Sequence, residues 1–161
     1  MNKLYDIKED EDIEFWDKWF HRTKKRIQNF DKNRITRGIS LKEIEKRHGA
    51  YVYLVECEGC YKIGKAKNAG RRILDMQGGN PFNIKPIIIS YFKDAFYVET
   101  QLHRCLRTRR IKHDHFTEWF FLSDNDLKNV VDIIKLGRVI GNRVSRSVSV
   151  SRGEHGESGE D

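Results

Sequence analysis

Tyr51-Val52-Tyr53-Leu54-Val55, followed after Glu56-Cys57-Glu58-Gly59-Cys60 by Tyr61-Lys62-Ile63-Gly64, decides the fold. Both runs are rich in aromatic and β-branched residues, and Glu58-Gly59 between them suits a tight hairpin turn. That turn predicts the register: Cys57 faces Cys60, Val55 faces Lys62, and Tyr53 faces Gly64. Alternation then sorts the side chains. Val52, Leu54, Tyr61 and Ile63 form an apolar face, expected to meet the core. Tyr51, Tyr53, Val55, Lys62 and Gly64 form a mixed face, expected to be accessible. Gly64 opposite Tyr53 leaves room for a ligand beside the phenol, although a bulge or strand end is an equally ordinary use of a strand glycine.

Outward from the hairpin, Lys65 to Ala69 reads as a loop and Asn68 or a neighbour as a cap for a short helix from Arg71 to Gln77. Ile73, Leu74 and Met76 are expected to pack inward, and Gly78-Gly79-Asn80-Pro81 stops the helix. Pro86 to Phe92 reads as a buried third strand. Asp94 caps a longer helix to about Arg109, with Val98, Leu102 and Leu106 as its apolar stripe. Glu99 and His103, four residues apart, share a side of that helix. By spacing alone they are a surface ion pair as readily as an acid/base or metal site. Glu118 to Leu122 reads as a last strand or strand-like edge, and Asn125 to Leu136 as a closing helix ended by Gly137.

Before the hairpin, Glu9 to Phe30 has apolar residues at helical spacing, including Trp16, Phe20 and Ile27, and a basic side with Arg22, Lys24, Lys25 and Arg26. Packing on the domain and contact with phosphates are both open for this helix. Asp31 to Ile39 reads as a basic connector. Ser40 with Glu43 forms a capping box for a second helix stopped by Gly49. The expected organisation is therefore a basic helical extension (1–47), a core domain (48–123), a closing helix (124–137) and a disordered tail (138–161), the last too poor in apolar residues to offset its ordering entropy.

Composition narrows the function. Of 161 residues, 34% are charged and 38% hydrophobic, and the formal charge is +7. The mean hydropathy of −0.72 and the lack of any run near ~20 apolar residues argue against a membrane span. The acidic, polar start at Met1 to Asp12 is not a secretory signal. Three cysteines, Cys57, Cys60 and Cys105, give no disulfide framework and fit a reducing cytoplasm. The basic balance favours an anionic partner, of which DNA is the leading choice. Zinc on Cys57 and Cys60 is not expected, because a second ligand pair is missing and the two residues would face each other across the turn anyway. His113-Asp114-His115 is read as a solvated loop.

The order of these pieces resembles the GIY-YIG endonuclease superfamily, and within it a phage-type branch described as DNA-binding. Tyr51-Val52-Tyr53 stands at the first signature and Lys62-Ile63-Gly64 at the second. Arg72-Ile73-Leu74 through Asn80-Pro81, Glu99, Leu102-His103 and Glu118-Trp119-Phe120 stand at the downstream markers. The resemblance implies an α+β fold, with a small three-stranded antiparallel sheet flanked by helices. It also implies phosphodiester hydrolysis of DNA with one Mg²⁺ or Mn²⁺ ion and no small-molecule cofactor; the alternative is a non-catalytic DNA-binding module on the same fold. By position, Tyr53 would orient or deprotonate the attacking water and Arg72 would hold the scissile phosphate. Glu99 would be the metal ligand, and His103 an auxiliary acid/base or phosphate contact. Lys62 would lower the pKa of Tyr53, and Gly64, Lys65, Arg71 and Arg104 would contact substrate. The chain departs from the pattern at Tyr51, where a glycine is expected, and at Lys62, where a tyrosine is. The asparagine expected beyond Glu118 has only Asn125 to offer. Oligomeric state is left open.

Overall fold

The computed structural model describes residues 13–112 and 118–140. The first twelve residues, the His113-Asp114-His115 loop and the tail from Gly141 lie outside the described residues. The hairpin is built as its alternation dictates. Strands β1 (Ala50–Cys57) and β2 (Cys60–Ala66) pair antiparallel with Cys57 opposite Cys60, Val55 opposite Lys62, and Tyr53 opposite Gly64. Glu58 and Gly59 both have positive φ, at 51° and 79°, the backbone a two-residue hairpin turn of this twist requires. The Glu56 carboxylate steadies the turn by accepting from the Gly59 N–H at 2.9 Å.

Three helices precede the hairpin: α1 (Ile13–Gln28), α2 (Phe30–Thr36) and α3 (Leu41–His48). The stretch read as a basic connector is therefore largely helical. Ser40 caps α3 by accepting from the Glu43 N–H. After β2 come α4 (Ala69–Gly78), β3 (Lys85–Phe92), α5 (Ala95–Cys105), a 3₁₀ turn (Arg107–Arg109), β4 (Trp119–Phe120), α6 (Asp124–Ile134) and β5 (Arg138–Ile140). Asn68 and Asp94 cap α4 and α5 as expected, and the reciprocal capping box belongs to α6, through Ser123 and Asp126.

The sheet has five strands in the order β4-β2-β1-β3-β5, all pairs antiparallel, which corrects the three-stranded expectation. The additions are the edges. β4 covers only Tyr61 and Lys62 of β2, and β5 covers only Ile89, Ser90 and Tyr91 of β3. Because β5 starts within the stretch read as tail, residues 138–140 belong to the sheet. β3 is buried only in its second half, since Lys85, Pro86 and Ile87 are exposed. The register slips between Leu54 and Val55, next to Pro86, which has no N–H to give the ladder.

Two cores flank the sheet. On one face Val52, Leu54 and Ile63 meet Phe20 and Ile27 of α1, Val98 and Leu102 of α5, and Val130, Ile133 and Ile134 of α6. Helix α1 thus packs on the domain, and its arginines Arg22 and Arg26 face solvent. On the other face Tyr53, Val55 and Cys57 lie against Ala69 and Ile73 of α4 and against Ile84. This second face was expected to be accessible. Instead Tyr53 is 1% exposed and Val55 0%, because α4 lies over them. Leu74 points away from this core and is 69% exposed. No helix among the described residues is long and apolar enough to cross a membrane.

Candidate active site

Among the described residues β4 pairs only with Tyr61 and Lys62, and no described strand lies beside the outer edge of β2 from Gly64 to Ala66. The candidate site forms there. Tyr53 reaches it from the α4 face by crossing Gly64; a Cβ on Gly64 would run into the Tyr53 hydroxyl and ring. Arg72 reaches it from the second turn of α4 and hydrogen-bonds the phenol. Glu99 and His103 come from α5, on the opposite face of the sheet. The site therefore straddles the sheet edge rather than occupying a single face.

The ionic pattern is definite. His103 Nε2 lies 2.8 Å from the Ile63 carbonyl oxygen. A carbonyl only accepts, so Nε2 carries the proton and Nδ1 of the neutral ring is the free lone pair. The ring also stands edge-to-face on Phe120 at 5.2 Å. Lys65 Nζ pairs with Glu99 at 3.0 Å. Lys62, only 8% exposed, donates to Glu118 at 2.6 Å and lies over the Trp119 ring at 5.8 Å. Burial pushes the Glu118 carboxyl up, but the Lys62 hydrogen bond and charge, helped by His103 and Arg72, outweigh it and hold it below the usual carboxylate value.

Burial is also the largest influence on Tyr53 and pushes its hydroxyl above the ordinary tyrosine value, against the opposing pull of Arg72; Glu118 and Glu99 push it further up. This corrects the expectation for Lys62. Its charge is committed to Glu118, and the cation beside the phenol is Arg72.

Tyr53, Gly64, Lys62, Lys65, Arg72, Glu99 and His103 are thus brought together at or beside one edge. Arg71 and Arg104 are exposed and take no part in these hydrogen bonds and ion pairs; Arg71 pairs with Asp75 one turn on, at 3.2 Å. Asn125 is held by Asp17 of α1 at 3.0 Å. Glu118 is the site residue that the sequence reading left without a role. The available signal was Lys62 itself, since a lysine on an interior strand needs a counter-charge.

Among the described residues no three of His, Cys, Asp and Glu converge as a metal cage. A hard cation that keeps several of its waters needs only one or two carboxylates, and Glu99 and Glu118, both within electrostatic reach of Tyr53, match that chemistry.

The edge of this α+β sheet gathers a phenol, a guanidinium, an imidazole and two carboxylates, a set that suits a DNA-binding or nuclease-like module. The chain belongs to the T5orf172 domain family, whose model matches residues 50–135. That family is phage-associated and related to the GIY-YIG/HNH-like nuclease-type fold. No curated protein and no solved structure matches the chain.

Proposed function

We propose that the protein is a metal-dependent DNA endonuclease of the GIY-YIG type. The observation that carries this reading is the meeting of the Tyr53–Arg72 pair with Glu99 at the outer edge of β2. A phosphodiester anion repels an oxygen nucleophile, so cleavage needs cations around phosphorus and a placed water. Arg72, exposed on α4, offers a planar fork to two phosphate oxygens. To reach Tyr53, which lies beneath that guanidinium, a phosphate would take over the arginine's hydrogen bonds.

Tyr53 is held protonated at neutral pH, which suits it to orienting the attacking water by hydrogen bonding more than to deprotonating it. His103 Nδ1 is free to accept the proton as water adds to phosphorus and the bond to the leaving oxygen breaks. Lys62 holds Glu118 in place. Glu99, alone or with Glu118, would hold one Mg²⁺ or Mn²⁺ ion; when bound, the ion supplies charge neutralisation of the phosphate and a more acidic water.

The test is nicking of supercoiled plasmid with Mg²⁺ or Mn²⁺. Glu99→Gln should lower the rate by about 100-fold or more, as loss of several kcal/mol of stabilisation implies, while salt-sensitive DNA binding persists. The Lys65–Glu99 and Lys62–Glu118 pairs favour a second reading, a DNA-binding module whose carboxylates are spent on lysines. Lys65→Met separates the two. In a nuclease it frees Glu99 and lowers the metal concentration needed for nicking; in a binding module it only weakens DNA binding.

A further inference from the structure

Helix α4 packs over β1 and β2, and on the same face the β3–β5 half of the sheet carries a different surface. One cross-strand row there runs Ala66, Tyr51, Tyr91, Arg138, and the next runs Gly64, Tyr53, Ile89, Ile140. The second row contains the buried phenol of the candidate site, so the half-sheet adjoins the core beneath α4. Tyr51 and Tyr91 are each partly exposed and meet edge-to-face at 5.3 Å. Arg138 lies over the Tyr91 ring at 5.1 Å, and Ile140 is 46% exposed.

The Tyr91 ring is fixed in advance. Its hydroxyl donates to Glu45 of α3 at 2.8 Å, and Gly49 is tolerated beneath it because a Cβ there would crowd that hydroxyl. Cations flank the rings: Arg72 beside Tyr53, Lys67 on the Gly49 carbonyl, and Arg138 at the far edge. Among the described residues Glu45 is the carboxylate bonded within the patch, and the Tyr91 hydroxyl occupies one of its oxygens.

We propose that this open half-sheet is a stacking platform for unpaired nucleotides of the DNA held at the candidate site. The class of substrate would then be a strand with splayed or single-stranded bases next to the scissile phosphate. Bases in a duplex keep their faces in the stack, whereas unpaired bases offer them to aromatic rings, with cations taking the phosphates. The part of the rows outside α4, from Tyr51 on β1 to β5, spans roughly 10 Å at ordinary strand spacing, which accommodates about two bases. This inference adds a substrate class to the nuclease reading but does not need catalysis, so the two fail separately.

The experiment is binding in EDTA, followed by fluorescence anisotropy with a short mixed-sequence single strand and with a hairpin duplex of the same composition. Tyr51→Leu keeps an apolar side chain and removes the ring. It should weaken single-strand binding by about tenfold, the scale of one base–aromatic stack, and leave duplex binding within about twofold. Tyr51→Phe should bind as wild type, and Arg138→Gln should reduce the salt dependence of single-strand binding by roughly one phosphate contact. Equal weakening of both DNAs by Tyr51→Leu, or none on the single strand, overturns the platform. So does sedimentation showing a dimer that Ile140→Glu breaks while single-strand affinity ignores Tyr51→Leu, since the face would then belong to a second copy. Intact single-strand discrimination without plasmid nicking would leave the platform standing and remove only the nuclease reading.

Discussion

The two faces of β1 divide the labour of this molecule. Val52 and Leu54 point into a core closed by α1, α5 and α6, where they are 0% exposed among apolar neighbours. Tyr53 and Val55, one residue along, point into a smaller core under α4 alone, and there a phenol takes the place a leucine holds on the other side. The large core is built mainly of apolar side chains, with polar groups such as Asp126 held at its margin. The small core carries a hydroxyl that must be satisfied, and it lies near enough to the outer edge of β2 for Arg72 to satisfy it. The larger apolar core lies on one face, and the candidate chemistry lies at the sheet edge, with its phenol rising from the smaller core and Glu99 and His103 coming from α5 on the other side.

The sharpest attack on that division is at the margin of the large core. Asp126, 1% exposed, accepts from Arg109 at 3.0 Å and from the Ser123 N–H at 3.2 Å, while the guanidinium lies over Trp16 at 4.6 Å. Arg109→Met leaves a buried carboxylate without its cation and should cost about 3–5 kcal/mol, read from urea melts. Leu54→Ala and Ile73→Ala then compare the faces directly. Both are large-to-small changes, with an expected range of about 2–5 kcal/mol. Leu54 should lie near the top, because its neighbours close on it from three helices, and Ile73 near the bottom, because α4 can settle. Equal losses would mean that the small core is as rigid as the large one.

Gly64→Ala tests the junction. The added methyl meets the Tyr53 ring, which is packed and cannot swing aside. An overpacking cost of about 1–3 kcal/mol is expected, with plasmid nicking lost more completely than stability, since the phenol is the group displaced. Activity surviving in a well-folded Gly64→Ala protein would separate Tyr53 from the chemistry.

Sequence reading succeeded where a local rule has one solution. The hairpin register follows from period-two alternation and a turn that accepts positive φ, and Asn68 and Asp94 reveal helix starts because a cap oxygen satisfies a backbone donor. It failed where the decision is tertiary. β5 is three exposed residues that β3 recruits by pairing alone, so no apolar pattern announces it. Tyr53 and Val55 alternate like a solvent face, yet α4 covers them, and Leu74 turns outward because the helix has only one side on the sheet. Glu99 and His103 could be placed on one side of a helix, but their meeting with Tyr53 depends on Gly64, which lets the phenol cross β2. Neither Glu118's partnership with Lys62 nor the Lys65–Glu99 pair is a spacing that a sequence displays.

The smallest effect at neutral pH is also the most specific to the small core. Burial raises the Tyr53 pKa above its ordinary value near 10, so the folded state holds this proton more tightly than the unfolded chain does. The resulting stability is complete below the unfolded value and is lost as pH rises through the folded one. Tyr61 and Tyr91 shift the same way, Tyr61 chiefly by burial and Tyr91 chiefly by its Glu45 hydrogen bond, and Cys60 and Cys105 are raised by burial. The whole alkaline curve therefore belongs to several groups, and the difference between wild type and Tyr53→Phe isolates one. At pH 7 that difference should be about 1 kcal/mol, the net worth of the hydrogen bond to Arg72. Above pH 10 it should shrink and then reverse, because the phenylalanine protein has no proton to lose. A difference that stays constant with pH would mean that the phenolate is tolerated beside Arg72, and that the small core is open enough for Tyr53 to act as a base.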